Sequence, residues 1–92
     1  MIKTFRNKDV EQLFNDYYIK RFSVFSKQAR RKLKILHAAE CISDLYSPPG
    51  NRLEKLIGDR SGIWSIRINN QWRIVFRWFE NNAYEVNIVD YH

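Results

Sequence analysis

Two neighbouring segments alternate large apolar residues with small or charged ones, and this pattern constrains the fold more than any other feature of the sequence. In the first segment, Trp64, Ile66 and Ile68 alternate with Ser65 and Arg67. In the second, the large residues are Trp72, Ile74, Phe76 and Trp78, and those between them are Arg73, Val75 and Arg77. A period of two residues is typical of half-buried strands. The sequence therefore predicts a sheet with one apolar face and one cationic face.

A three-residue loop at positions 69–71 predicts the register of the first hairpin. It pairs apolar residues only, namely Ile68 with Trp72, Ile66 with Ile74 and Trp64 with Phe76. The same register sets Arg67 directly opposite Arg73, a like-charge pair that destabilises a hairpin unless an anion lies between the two side chains. Phosphate is the anion that we expect there.

A second three-residue loop at positions 80–82 predicts a third strand and its register. The predicted pairs are Trp78 with Tyr84, Phe76 with Val86, Ile74 with Ile88 and Arg73 with Val89. Tyr91 then projects on the face that carries Arg67 and Arg73, and His92 can turn toward them. An acid–base group is therefore expected beside cationic groups.

The N-terminal half predicts two helices. Asn7 is expected to cap a short helix over residues 8–15. A longer helix is expected to begin at Ser26, and the Ser-Pro-Pro-Gly sequence at 47–50 ends it. Its core-facing stripe comprises Ala29, Leu33, Leu36, Ala39, Ile42 and Leu45.

These elements predict one α+β domain over residues 1–92, with two N-terminal helices packed on one face of a small, mainly antiparallel sheet. Residues 2–5 are a candidate first strand, so the predicted order is β, α, α, β, β, β. Residues 48–59 are expected to form an ordered loop. The helices cover the apolar face, which leaves the arginine face open.

Composition narrows the possible partners. The chain has 16 Lys and Arg against 10 Asp and Glu, a formal charge of +6, which favours RNA, DNA or an acidic protein. The single cysteine, Cys41, excludes a disulfide framework and favours a reducing compartment. Two distant histidines predict no metal site. No membrane span or secretory segment is visible, so we expect a soluble cytoplasmic protein without a cofactor.

Several short motifs, in a fixed order along the chain, resemble those of a known family. They lie at residues 48–54 (PPGNRLE), 58–60 (GDR), 64–69 (WSIRIN), 71–74 (QWRI) and 90–92 (DYH). The chain is similar over nearly its whole length to the plasmid-maintenance killer proteins, the HigB-type toxins of the RelE-like superfamily. The resemblance implies a RelE-like microbial RNase fold and a bacterial type II toxin.

The same resemblance implies the partners and the reaction. Such a toxin enters the ribosomal A site, beside 16S rRNA, and cuts the mRNA there. A HigA-type helix-turn-helix antitoxin holds it inactive, and operator DNA is bound only through the complex. Attack of a ribose 2′-hydroxyl on phosphorus requires a base, cations and an acid, with no metal. The products are a cyclic phosphate and a free 5′-hydroxyl.

Family roles carry over onto four residues. The resemblance implies that Arg73 stabilises the phosphate or the transition state and that His92 transfers a proton. Asp90 and Tyr91 flank His92 and orient it or the substrate.

One position departs from the family pattern. Many members carry a lysine just before the Gly-Asp-Arg block, where this chain has Ile57, and Lys55 lies two residues earlier, about 6 to 7 Å along an extended segment. We expect Lys55 to bind RNA together with Arg60, Arg67 and Arg77. The missing lysine leaves open a non-catalytic RNA- or ribosome-binding toxin. A corepressor that acts with its antitoxin is a further alternative, compatible with both.

Two further predicted surfaces each have two possible functions. The basic run Lys27, Arg30, Arg31, Lys32 and Lys34 predicts either a contact with ribosomal RNA or an ordinary solvated helix face. On the predicted cationic face of the sheet, Val75 and Phe79 are suited either to stack a base or to contact a partner helix.

Overall fold

The computed structural model describes residues 1–56 and 62–90. Within these ranges, helices α1 (Lys8–Phe14) and α2 (Ser26–Ala38) precede a four-stranded antiparallel sheet. The strands are β1 (Glu54–Lys55), β2 (Ile63–Arg67), β3 (Trp72–Phe79) and β4 (Asn82–Asp90), and their order in the sheet is β1-β2-β3-β4. Short 3-10 helices occupy Lys20–Phe25, Ile42–Tyr46 and Pro49–Asn51. The predicted α+β architecture is confirmed.

Helix α1 begins where the sequence predicts. The Asn7 side chain accepts a hydrogen bond from the backbone N–H of Val10 at 3.0 Å, which satisfies one of the free donors at the start of a helix. Val10 and Leu13 are fully buried, so this short helix is held mainly by its packing against the core.

Helix α2 begins at Ser26 as predicted, but the prediction that it continues through residue 45 is wrong. The helix ends at Ala38, and Ala39 has an extended backbone with ψ 133°. Asp44 accepts hydrogen bonds from the backbone N–H groups of Glu40 and Cys41, at 2.9 and 3.3 Å. These bonds hold the pKa of the Asp44 carboxyl below its usual value. They start a separate 3-10 helix, which still delivers Leu45 to the core.

The register predicted for the β2–β3 hairpin is confirmed. Trp64 pairs with Phe76, Ile66 with Ile74 and Arg67 with Arg73. The side-chain oxygen of Asn69 accepts hydrogen bonds from the backbone N–H groups of Gln71 and Trp72, at 2.8 and 2.9 Å. The loop is therefore closed by its own asparagine.

The register predicted for the β3–β4 hairpin is right at one end and wrong at the other. Trp78 pairs with Ala83 instead of Tyr84, because the loop has two residues instead of three. Glu80 and Asn81 both have positive φ, 47° and 63°, as a type I′ turn requires. The predicted pairs of Ile74 with Ile88 and Arg73 with Val89 are confirmed.

A β-bulge in β4 explains why the register differs from the prediction near the loop but agrees with it at the far end of the hairpin. Between the pairs formed by Val75 and Arg77, the register of β4 shifts by one residue, and Glu85 has φ 52°. An extra residue in the strand therefore compensates for the residue missing from the loop. The expected pairing of Phe76 with Val86 falls at this irregularity and is absent from the ladder.

The N-terminal segment joins the sheet through isolated parallel bridges, Ile2 to Ala83 and Phe5 to Val86, and forms no continuous strand. The backbone N–H of Ile2 also donates to Nδ1 of His37 on α2 at 3.1 Å. This segment therefore lies between β4 and α2.

One hydrophobic core joins the helices to the apolar face of the sheet. Its fully buried members include Val10, Leu13, Leu33, Leu36, Ile66, Ile74 and Val86. Trp64, Trp72 and Trp78 pack against this core as predicted and are partly buried. In residues 1–56 and 62–90, none of the helices is long and apolar enough to cross a membrane.

Candidate functional site

The prediction of an open arginine face is wrong at Arg73, which is only 7% exposed. Its Nε donates to the Ser65 hydroxyl at 2.9 Å. Its Nη2 donates to the backbone carbonyls of Arg52 and Ser65, at 2.5 and 3.3 Å. The segment before β1 therefore covers this arginine and fixes its orientation.

Three arginines meet in one polar groove of roughly 330 Å³, which we call the arginine groove. It is lined by Arg52, Glu54, Arg67, Asn69, Asn70 and Arg73. Arg67 donates from Nη2 to the side-chain oxygen of Asn70. Arg67 and Arg73 are opposed in the ladder, so their like charges make the groove a natural site for an anion.

The sequence prediction missed Arg52 and Glu54. Arg52 follows a 3-10 turn in the left-handed conformation, with φ 43° and ψ 57°, and Glu54 pairs with Ser65 in the ladder. Paired residues project on the same face of a sheet, which puts Glu54 on the face of the arginines. Both residues lie in the block at 48–54 that carries the family resemblance, but a two-residue strand leaves no periodic signal.

Helix α2 contributes a further cation near the arginine groove. Lys32 donates from Nζ to the Asn51 side chain at 2.5 Å, and the fully buried Asn51 donates to the carbonyls of Leu45 and Ser47. Partial burial lowers the pKa of Lys32, and the charges of Arg31 and Arg67 lower it further. Positive potential from Arg67 thus extends to this helix.

Lys55 does not join the groove. It pairs with Trp64, so it projects on the helix-covered face, and its Nζ lies over the Trp64 ring, 5.5 Å from the centroid. Lys55 therefore lies on the opposite face of the sheet from Arg67 and Arg77, with which it is expected to bind RNA.

Arg77 does lie on the same face as the groove, four residues along β3 from Arg73. Its Nε donates to Glu85 at 2.7 Å. Asp90 pairs with Trp72 at the other end of β3 and accepts from the Gln71 side chain at 3.0 Å. Asp90 therefore tethers the β2–β3 loop to the end of β4.

Three predicted site residues, Arg60, Tyr91 and His92, lie outside the described residues, as does Ile57. Within the described part of the chain, no cluster of three His, Cys, Asp or Glu residues is suited to hold a metal ion.

Apart from Lys32, the basic run of α2 separates into two groups. Arg30 is used internally, because it donates to the carbonyls of Leu13 and Tyr17 at 3.0 and 2.7 Å. Lys27, Arg31 and Lys34 instead project outward along an exposed hollow that also contains Ile35. We call these three residues the outer basic face of α2.

Comparison with known proteins gives the family. A family model described as the RelE-like toxin of the type II toxin-antitoxin system HigB matches residues 3–92. The chain belongs to the HigB-like toxins. Toxin HigB-1 of Vibrio cholerae serotype O1 is 42% identical over 85 residues, which cover 90% of each protein. Endoribonuclease HigB of Proteus vulgaris is 34% identical over 95 residues, which cover 100% of each.

Solved structures share the fold of this HigB-like toxin at lower identity. YoeB from the YoeB–YefM complex of Staphylococcus aureus has a TM-score of 0.60 at 24% identity, with 100% of this chain and 98% of that chain covered. YafQ of Escherichia coli has a TM-score of 0.62 at 9% identity, with 98% and 93% covered. These likenesses support the RelE-like fold.

Proposed function

We propose that this HigB-like toxin is an endoribonuclease that cuts mRNA in the ribosomal A site. The observation that carries the proposal is the convergence of Arg52, Arg67 and Arg73 in one groove, within a chain of a toxin family. The Proteus vulgaris relative, named an endoribonuclease, matches over its full length.

In this proposal the arginine groove binds the scissile phosphate. Arg67 and Arg52 offer guanidinium N–H donors to the phosphate oxygens, and Arg73, fixed by Ser65, supplies an oriented positive charge. Donors that are already in place stabilise charge on phosphorus without reorganising during the reaction. The groove thus supplies the cations that attack by a 2′-hydroxyl requires.

Proton transfer is assigned to one carboxylate of the groove and, from the family resemblance, to a histidine. Glu54 is the carboxylate that lines it, and it is a candidate acceptor for the 2′-hydroxyl proton. From the family resemblance, His92 is the proton-transfer group, with Tyr91 and Asp90 beside it. The reaction proposed is metal-independent and yields a cyclic phosphate and a 5′-hydroxyl.

The proposed partners follow from the family. We assign a HigA-type helix-turn-helix antitoxin as inhibitor, 16S rRNA as the docking surface and operator DNA as a target of the complex only, all in the cytoplasm. In the S. aureus relative, toxin and antitoxin form a heterotetrameric YoeB–YefM complex. The net charge of +6 supports binding to nucleic acid.

The test is to map mRNA 5′ ends in bacteria after induction of the toxin. We expect new in-frame 5′ ends and growth arrest with the wild type, and loss of both with Arg67→Ala or with a truncation that lacks His92. Arg21→Ala is the matched control, since Arg21 pairs with Asp9 at the surface. New ends that persist in Arg67→Ala would contradict the assignment of the groove.

A second candidate function is a non-catalytic toxin that binds RNA or the ribosome. The observation in its favour is that Arg73 already donates to Ser65 and to the Arg52 carbonyl, which is a structural use of this arginine. Growth arrest without new 5′ ends would select this function. A corepressor role predicts instead that operator DNA shifts in a gel only when toxin and antitoxin are mixed.

A further inference from the structure

Arg67 and Arg77 lie on the same face of the sheet but are held by partners of different charge. Arg77 donates from Nε to the carboxylate of Glu85 at 2.7 Å. Arg67 donates from Nη2 to the side-chain oxygen of Asn70. An amide oxygen accepts a hydrogen bond without carrying a net charge. The guanidinium of Arg67 is therefore held without being neutralised, whereas that of Arg77 is paired with a negative charge.

The positive charge of Arg67 is not compensated within the described part of the chain, where Arg67 forms no ion pair with a carboxylate. Glu54 lines the arginine groove, but it is not paired with Arg67. Burial, and then the charges of Arg31 and Arg67, lower the pKa of Lys32 on α2. The charge of Arg67 is thus felt by a neighbouring element.

The loop that carries Asn70 is held in place by other residues. The side-chain oxygen of Asn69 accepts from the backbone N–H groups of Gln71 and Trp72, at 2.8 and 2.9 Å. The Gln71 side chain donates to Asp90 at 3.0 Å. Asn70 itself is exposed, and none of these bonds uses its side chain. Its side chain is therefore free to act on Arg67, and a substitution there leaves the closure of the loop intact.

Arg67 needs a restraint if it is to stay at the groove. It faces Arg73 in the ladder, and Arg73 is directed inward by Ser65 and by the Arg52 carbonyl. Two like charges opposite each other repel, and a long arginine side chain has many rotamers. The bond to Asn70 opposes this tendency, because both residues line the arginine groove.

We propose that Asn70 is a positioning residue of the arginine groove, which holds the guanidinium of Arg67 toward an RNA phosphate and leaves its full positive charge available. The N–H groups that Asn70 does not use remain for the phosphate oxygens. A carboxylate at position 70 would hold the same guanidinium but cancel its charge. This proposal rests on the proposed endoribonuclease function and adds one residue to its phosphate site.

Two substitutions of Asn70 separate orientation from charge. Asn70→Ala removes the contact and leaves the charge of Arg67 unchanged. Asn70→Asp keeps an acceptor for Arg67 and adds a negative charge beside it. Asn81→Asp is the matched control, because it makes the same change of charge in the β3–β4 turn and does not line the groove. Asn81 has φ 63°, a conformation that aspartate also tolerates.

The first measurement is the rate of cleavage by saturating toxin on purified ribosomes programmed with one mRNA. We expect Asn70→Ala to lower this rate about 3- to 10-fold, the effect of one hydrogen bond. The toxin concentration that gives half the maximal rate should change little, because the charge of Arg67 remains. The unfolding midpoint in urea should equal that of the wild type, since Asn69 closes the loop.

The second measurement is affinity for ribosomes that carry the same mRNA with 2′-O-methyl riboses, which lack the attacking hydroxyl. Sedimentation at several salt concentrations gives the slope of log affinity against log salt concentration. We expect Asn70→Asp to weaken binding and to reduce this slope by roughly 1, the effect of losing one phosphate contact. Asn70→Ala and Asn81→Asp should retain the wild-type slope.

The outcomes separate the two proposals. If the wild type cuts but Asn70→Ala keeps its rate, or Asn70→Asp keeps its salt slope, the role of Asn70 is wrong and the endoribonuclease stands. A lower rate with a lower unfolding midpoint in Asn70→Ala would show a merely structural role. If the wild type binds ribosomes without cutting, the endoribonuclease fails, and the slope for Asn70→Asp still decides whether Asn70 preserves the charge of Arg67. A wild type that neither binds nor cuts overturns both proposals.

Discussion

The arginine groove and the outer basic face of α2 are both cationic, but the protein holds their charges in different ways. In the groove, Arg73 is buried and donates to Ser65 and to the Arg52 carbonyl. On α2, Lys27, Arg31 and Lys34 project outward. A charge held by internal acceptors points in one direction, whereas an exposed lysine samples many. The first arrangement suits a transition state, and the second suits a polyanionic surface.

The largest expected effect is that of Arg73→Ala. It leaves the Ser65 hydroxyl and the Arg52 carbonyl without their donor, and unsatisfied buried groups cost about 1 to 3 kcal/mol each. We expect the free energy of unfolding to fall by about 3 kcal/mol and cleavage to be lost, measured by urea unfolding and 5′-end mapping. An unchanged unfolding midpoint would show that Arg73 is not a structural residue of the groove.

Arg67→Ala separates catalysis from stability. Arg67 faces Arg73 across the ladder, so its removal relieves a like-charge pair, and we expect the free energy of unfolding to change by less than about 0.5 kcal/mol. Cleavage should fall about 100-fold, as on loss of one preorganised donor. The measurements are the amount of transcript cleaved and the free energy of unfolding in urea, both for the Arg67→Ala variant. If cleavage and stability both fell, Arg67 would be a structural residue like Arg73.

A triple substitution of Lys27, Arg31 and Lys34 by Gln tests the outer basic face. If these residues contact rRNA, affinity for ribosomes falls and the slope of log affinity against log salt concentration decreases by roughly 2 to 3. Sedimentation with purified ribosomes at several salt concentrations measures both quantities. An unchanged slope would favour the alternative of an ordinary solvated helix face.

Lys32 gives the smallest expected effect, through pH. Burial, and then the charges of Arg31 and Arg67, lower the pKa of Lys32 from 10.5, so the unfolded chain binds more protons there. Stability gained through this group therefore increases as the pH rises from its lowered pKa toward 10.5. Lys32→Gln should lack this increment in urea unfolding at successive pH values. Parallel wild-type and variant curves would show that the pKa of Lys32 is not lowered in the folded chain.

The sequence predicted the β2–β3 hairpin because only one register places every large apolar residue on one face. The β3–β4 loop was mispredicted because Glu80 adopts positive φ, which no local pattern signals in a glutamate. The bulge at Glu85 returned the far end to the predicted register. The loop is one residue shorter than predicted and the bulge adds one residue to β4, so the two deviations cancel.

Only part of the candidate site was predicted, because strand periodicity does not reveal contacts made by non-periodic segments. Strand periodicity identified the face of Arg67 and Arg73, but the burial of Arg73 depends on a carbonyl of Arg52, in a segment without periodicity. The position of Lys55 depends on its pairing with Trp64, a contact distant in sequence. Contacts of this kind become visible only in the folded chain.

The parallel bridges of the N-terminal segment have a consequence for the order in which the toxin assembles. Ile2 and Phe5 find their partners at Ala83 and Val86, so a segment that is synthesised before both helices pairs with the last strand described. Contacts so distant in sequence close late and slow folding. The N-terminal segment therefore cannot pair with β4 until translation has passed residue 86, and the sheet is complete only after β4 has been synthesised.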